Sequence, residues 1–302
     1  MATKIPFVQK MDFEYGKVTQ MSPLIRRVIA DNPGSFTYTG TGVYIIGTGT
    51  VAVIDPGPNT EAHFEALKAA LEGETVSHVF VTHSHMDHSP LAHPLAEWAG
   101  CKVYAKGPAI PTESEVRMEA GDDLSFRPDE TIGEGFVAKG PDWTIEVIET
   151  PGHTSNHICF DLKEENVLFS GDHIMGWSTT VISPPDGNMG QYLDSLAKVR
   201  DRGFSAIFPT HGPPVIEDPV GFIQAYIDHR KAREAAILSR LQAGDTRIPQ
   251  MVKTIYADID NRLHPAACHS VLGHMIHLVE EGRVTVEGLP DITGTYEIAE
   301  AN

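Results

Sequence analysis

From Asn32 onward, short apolar runs alternate with turns rich in glycine and proline, the punctuation expected of strands. SFTYTG, VYIIG and TVAVIDPG come first, and adjacent runs closed by turn residues predict antiparallel pairing. The period then lengthens. In TEAHFEALKAALEG, Phe64, Leu67 and Leu71 recur at helical spacing and Gly73 supplies a stop. VSHVFVTH is almost continuously apolar, as a strand buried on both faces would be, and it ends in a group of histidines. Ser89-Pro90 reads as a helix start, with serine capping and proline in the first turn. KVYA is the next strand. From about Gly107 to Pro141, glycine, proline and acidic residues accumulate and predict irregular, flap-like chain.

A second round follows. WTIEVIETPGH, ICFDL and NVLFSGD read as strands, QYLDSLAKVRDRG as a helix, and AIFPTHGPP as a last strand and turn. Each round places polar residues where its strands end, although the rounds are too dissimilar to count as a repeat. Beyond Pro214 the pattern becomes helical. One long helix is expected over about Gly221 to Gln242, with Phe222, Ile223, Tyr226 and Ile227 on its apolar side. IPQMVKTIYADI, HPAACHSVLGHMIHLVEEG and RVTVEG then predict helix, helix and short ribbon, with Val271, Met275 and Leu278 on one face. That is the pattern of a small winged helix. Three segments result: a strand-rich domain over 1–220, a long helix plus winged-helix-like region over 221–290, and a loosely ordered tail over 291–302.

Composition sets outer limits. The chain has 302 residues, of which 41% are hydrophobic and 21% charged, enough to bury a sizeable core. Its formal charge of -18 repels polyanions and so works against non-specific nucleic-acid binding. Cys101, Cys159 and Cys268 are widely spaced and suit a reducing compartment, each as a small apolar group. The N-terminal residues lack the apolar run of a signal peptide, and no stretch has the length of a membrane span, so a cytoplasmic protein is expected.

Histidine is the residue out of proportion, with 15 in the chain. His83, His85, Asp87 and His88 fall within HSHMDH, just past a buried strand. Desolvated imidazoles this close would repel one another if protonated, whereas as neutral donors beside a carboxylate they suit a borderline divalent cation. His153 in PGHT, Asp172 in SGD and His211 in PTHGP each follow a predicted strand. Glycine or proline beside each lets the backbone turn and aim the side chain into a shared cleft.

Together, HSHMDH, PGHT, SGD and PTHGP resemble the ligand set of the metallo-β-lactamase-fold hydrolases over roughly residues 32 to 215. The resemblance implies an α/β (α+β) chain folded as an αββα sandwich with two metals at one edge. It implies His83, His85 and His153 on the first metal, Asp87, His88 and His211 on the second, and Asp172 bridging them. Two cations sharing a water would lower its pKa from about 15.7 to around 7, giving a hydroxide that attacks a carbonyl or phosphoryl centre. Asp87 and Asp172 are therefore the candidate catalytic carboxylates, with Asp87 also able to steer the nucleophile's proton. Zinc is the first expectation; iron and manganese suit the same donors. Asp55, which ends an apolar strand in AVIDPG, is expected to accept a hydrogen bond from a ligand imidazole; the alternative is a turn-forming aspartate before proline. His157 and His173 are expected either to be structural or to support the ligands, His157 being the candidate for the supporting role. His63, His78, His93, His229, His264, His269, His274 and His277 are expected at the surface or in packing.

The substrate is read from finer likenesses. HTSNHICF resembles the matching segment of glyoxalase II-type thioesterases, while NPGSFTYTG, SGDHIMGWSTTV and the C-terminal pattern resemble β-lactamase-like proteins with an associated winged helix. Animal members of that second group include an endoribonuclease acting on single-stranded RNA. Gly42 and Pro90 depart from the subgroup, which usually has asparagine and glycine there. Asp172 points away from β-lactams as the main substrate, because true β-lactamases of this fold generally lack the bridging aspartate. The leading expectation is a hydrolase of small acyl substrates: thioester, lactone or amide. The alternatives are a metal-dependent endoribonuclease, disfavoured by the charge, and a metal-binding module without activity. Arg230, Lys231 and Arg233 are the basic candidates for RNA, and such a run is ordinarily a solvated helix face.

Overall fold

The computed structural model describes residues 4–108 and 121–300. Seven strands, β1 (Val18–Gln20), β2 (Ile25–Ile29), β3 (Gly42–Ile46), β4 (Thr50–Ile54), β5 (Thr75–Phe80), β6 (Lys102–Ala105) and β7 (Glu130–Thr131), form one sheet in chain order. β1 to β4 pair antiparallel and β4 to β7 parallel. The first two parallel steps need crossovers, which α1 (Glu61–Ala70) and α2 (Ala92–Ala99) supply. The second sheet runs β12 (Ala206–Pro209), β11 (Val167–Gly171), β10 (Ile158–Leu162), β9 (Thr144–Glu149), β8 (Val137–Lys139). β11 and β12 are parallel, joined by α3 (Met189–Arg202).

Side-chain alternation explains the layering. Along β3, Tyr44 and Ile46 face the second sheet, whereas Val43 and Ile45 face α1 and α2. Ala52 and Ile54 of β4 share the first face, Val51 and Val53 the second. The core between the sheets joins Tyr44 and Phe80 to Phe160, Phe169 and Phe208. On the far side, Ile148, Leu168 and Ile207 pack against Tyr192 and Leu196 of α3 and Phe222 and Tyr226 of α4 (Pro219–Gln242). Helix, sheet, sheet and helix are thus stacked in four layers, and both sheet faces are buried.

The C-terminal part has its own core. Ile237 and Leu241, at the far end of α4, pack with Met251 of α5 (Ile248–Ile255) and with Val271, Met275 and Leu278 of α6 (His264–Glu280). β13 (Val284–Val286) pairs antiparallel with β14 (Tyr296–Ile298). Helix α4 therefore belongs to two cores, one at each end.

Four expectations need correction. SFTYTG is a turn rather than a strand: Gly34 and Tyr38 exchange backbone hydrogen bonds, and φ is 55° at Tyr38 and 115° at Gly40. No strand accommodates such angles. The helix expected at Ser89-Pro90 begins at Ala92, because the Ser89 hydroxyl donates back to the His85 carbonyl and closes the histidine loop. The flap-like stretch over about 107–141 holds β7 and β8 within its described part; residues 109–120 lie outside the described residues. Finally, the tail over 291–302 is ordered through Ile298 by β14, whose Tyr296 is fully buried. β1 and β2 lie before Asn32, where the sequence reading places no element.

Candidate metal centre

β5 ends at Phe80 and the following loop carries His83, His85, Asp87 and His88, all buried. His153 sits in the turn between β9 and β10, Asp172 directly after β11, and His211 two residues after β12. The ends of strands from both sheets thus deliver all seven predicted side chains to one edge of the sandwich. They form three donor groups: His83, His85 and His153; Asp87, His88 and His211; and His83, His88 and Asp172 spanning the first two. Within each group the donor atoms lie within 4.8 Å of one another.

Their mutual geometry is that of groups aimed at common points. His83 Nε2 is 2.9 Å from His85 Nδ1. His211 Nε2 is 3.1 Å from Asp87 Oδ2 and 3.5 Å from Asp172 Oδ1, and His88 Nε2 is 3.6 Å from Asp172 Oδ2. Yet Asp87 Oδ1, His88 Nε2, Asp172 Oδ1 and His211 Nε2 are buried without a directed hydrogen-bond partner. Buried polar atoms left this way are costly unless a ligand compensates them. Neutral imidazole nitrogens and carboxylate oxygens in such sets fit divalent transition-metal ions.

Electrostatics divides the histidines. Burial, then neighbouring imidazoles, pushes His83 well below its ordinary value and His85 to about 3, so both are neutral donors. Burial also disfavours charge on His88 and His211, but the facing carboxylates overcome it, holding His88 well above its ordinary value and His211 at about 10. Burial would raise Asp87 and Asp172, yet the same imidazoles keep both below the usual carboxylate range. Protons and divalent cations would therefore compete for these groups.

A supporting layer fixes the ring orientations. Asp55 is fully buried at the end of β4 and accepts from His88 Nδ1 at 2.9 Å. It also accepts from the Thr82 amide and hydroxyl and from the Thr210 hydroxyl, each at 2.8 Å. It is no simple turn residue. His157 accepts from the Asp172 amide through Nε2 at 3.2 Å, and its Nδ1 is 2.8 Å from Thr150 Oγ1. His153 Nδ1 lies 2.8 Å from the Val181 carbonyl. His173 packs edge-on against Tyr192.

The sequence reading missed Thr82 and Thr210, although each directly precedes a clustered histidine, His83 and His211. It also missed the 121–123 segment, whose backbone pairs with the Ser84–Met86 stretch and brings Asp122 Oδ1 within 3.5 Å of His85 Nε2. No local signal pointed to that contact.

The model of the Metallo-beta-lactamase superfamily matches residues 38–211, more than half of the chain. The chain belongs to that superfamily, as a metallohydrolase. The model of the Beta-lactamase associated winged helix domain matches residues 248–291. A Beta-lactamase-like protein 2 homolog from Drosophila melanogaster is 33% identical, the match covering 91% of this chain and 94% of that one. Lactamase-like protein adaB from Aspergillus niger is 29% identical over 96% and 94% of the two chains. An atrochrysone carboxyl ACP thioesterase from Aspergillus fumigatus is 31% identical over 75% of this chain and 67% of its own. Among solved structures, a beta-lactamase domain protein from Burkholderia ambifaria shares the fold with a TM-score of 0.76 at 21% identity, covering 98% and 97% of the two chains.

In this metallo-beta-lactamase fold, Asp172 also lines a cavity of about 420 Å³ that extends toward α4, α5 and α6. Its wall corrects another expectation. Arg230 and Arg233 both line the cavity, with Arg230 only 4% exposed and Arg233 half-buried, so of that basic run Lys231 alone is exposed. His229 and His274 line it too. Among the described residues, no helix is long and apolar enough to cross a membrane.

Proposed function

We propose that this chain is a binuclear hydrolase of small acyl substrates, thioesters first, with lactones and amides as chemical relatives. His83, His85 and His153 would hold one divalent ion and Asp87, His88 and His211 a second, with Asp172 bridging; zinc, iron and manganese all suit such donors. Such ions, when bound, supply a water acidic enough to lose its proton near neutral pH and a counter-charge for the carbonyl oxygen. The chain's own groups do the positioning. Asp55 locks the His88 ring, His157 holds the backbone of Asp172, and the Val181 carbonyl orients His153. Asp87, with one oxygen buried and unpartnered, would orient the proton of the attacking water.

The observation that carries this reading is the convergence of seven buried donors beside a cavity of small-molecule size. The likeness to an acyl-carrier-protein thioesterase supports the acyl choice. A second reading, cleavage of single-stranded RNA, draws on the two cavity arginines, although the acidic balance of the chain opposes it. One metal-loaded preparation assayed on thioester, lactone, cephalosporin and single-stranded RNA separates them. Thioester or lactone turnover abolished by Asp172→Asn is expected, with β-lactam hydrolysis at most a side activity. RNA cleavage that Asp172→Asn abolishes, with no acyl turnover, would reverse the ranking.

A further inference from the structure

The cavity beside Asp172 runs between the 175–182 loop, helices α4 and α6 and the residues that follow α5. Phe36, Trp177 and Tyr256 give it aromatic walls, and Ile182, Ile259 and Leu263 add aliphatic ones. Apart from Asp172, the only charged side chains among its described lining residues are Arg230 and Arg233. The contrast with the rest of the chain is sharp, since 41 acidic residues face 23 basic ones overall.

Neither arginine has a carboxylate partner among the described residues. Arg233 lies over the Tyr256 ring, 4.1 Å from its centroid. Arg230 donates to the Thr180 carbonyl, stands 5.3 Å from the Tyr192 ring centroid, and has a buried Nε without a hydrogen-bond partner. Of the two α4 carboxylates, Asp228 accepts from Gln224 and Glu234 is taken up by His277 at 2.8 Å and His274 at 3.3 Å, and neither lines the cavity. His229 and His274 contribute no charge of their own: burial, then the neighbouring arginines for His229, lowers each to about 4. Arg230 is withdrawn from water without an anion and Arg233 is half-buried over an aromatic ring, so an incoming carboxylate would offset a desolvation cost through charge-assisted hydrogen bonds.

We propose that this cavity receives the acyl part of the substrate and that Arg233, backed by Arg230, selects acyl groups ending in a carboxylate. The assignment rests on the acyl-hydrolase reading for its reaction, but not for its ligand. Hexanoyl and adipoyl thioesters of N-acetylcysteamine have the same acyl length and end in a methyl and a carboxylate respectively. The metal-loaded chain should prefer the adipoyl ester by about 10-fold or more in kcat/KM. Arg233→Gln should remove that preference through KM, and Arg233→Lys should restore part of it. Lys231→Gln, an exposed charge on the same helix and outside the cavity, should keep it. Calorimetric binding of adipate to the metal-loaded chain and its Arg233→Gln variant gives a readout independent of turnover. Adipate binding that needs Arg233, with neither ester cleaved, would sink the thioester reading and leave the subsite standing. Cleavage of both esters without preference, together with adipate binding indifferent to Arg233, would overturn the subsite and leave the hydrolase. A short single-stranded RNA that binds in an Arg233-dependent way where adipate does not would also overturn it.

Discussion

Asp55 sits at a φ of 50°, a conformation that few side chains adopt, and its carboxylate accepts four hydrogen bonds. Two of the donors are threonines that directly precede His83 and His211, so a single buried group ties together two of the loops that carry the clustered side chains, the one after β5 and the one after β12. Asp55→Asn replaces one acceptor oxygen by a donor and should weaken metal affinity by about 10- to 100-fold, measured by competition with a chelator. An unchanged affinity would mean that the threonines suffice. His85→Ala should lose at least one ion and nearly all turnover, read by metal content and thioester hydrolysis on the same sample; retained activity would contradict its place among the donors. These histidines were legible because HSHMDH crowds its chemistry into one loop. The threonines were not, because a hydroxyl beside a histidine looks like any other polar residue until the strand ends meet.

At the scale of elements, the strands bearing the site were readable from the sequence because each apolar run stops where a glycine or proline begins. β1 and β2 were not: the run IRRVI is broken by two arginines, and Arg27 is buried where it reaches the Gly212 carbonyl far along the chain. β14 was hidden likewise, since one buried tyrosine in a polar tail leaves no period to read. The turn after β9 illustrates a local constraint with a distant cause. Gly152 has φ 134°, and a Cβ there would lie 2.4 Å from the Tyr192 backbone at the start of α3. Gly152→Ala should therefore push the turn off the helix, costing about 2 kcal/mol or more and displacing His153. Urea unfolding and metal content measure both effects; a variant with wild-type values would show that the turn yields freely.

Across the whole molecule, long-range packing decides which charges matter. Arg230 and Arg233 lie in a basic run that looks solvated in the sequence, and the loop after β11, the turn at Ser35 and Phe36, the residues that follow α5 and helix α6 enclose them. His274 behaves similarly: it is fully buried and lowered to about 4, chiefly by desolvation. The unfolded chain therefore binds a proton at this histidine between about pH 6.5 and 4 while the folded chain does not. Its contribution to stability is complete above the unfolded value and is lost as pH falls toward 4, up to roughly 3 kcal/mol. His277 acts in the opposite sense, being raised by Glu234. Comparing thermal unfolding at pH 7 and 4.5 isolates His274, since His274→Gln should flatten the acid loss; an equal loss in both proteins would refute the assignment. Turnover should also fall on acidification, as protons displace metal from the clustered donors.

The central claim is that seven side chains from both sheets hold two cations that do the chemistry. Elemental analysis of the chain purified without added metal, together with its thioesterase rate before and after chelation, tests it most directly. About two divalent ions per chain are expected, with activity lost on chelation and restored by metal. A chain that carries no metal and still hydrolyses its substrate at the full rate would contradict the account.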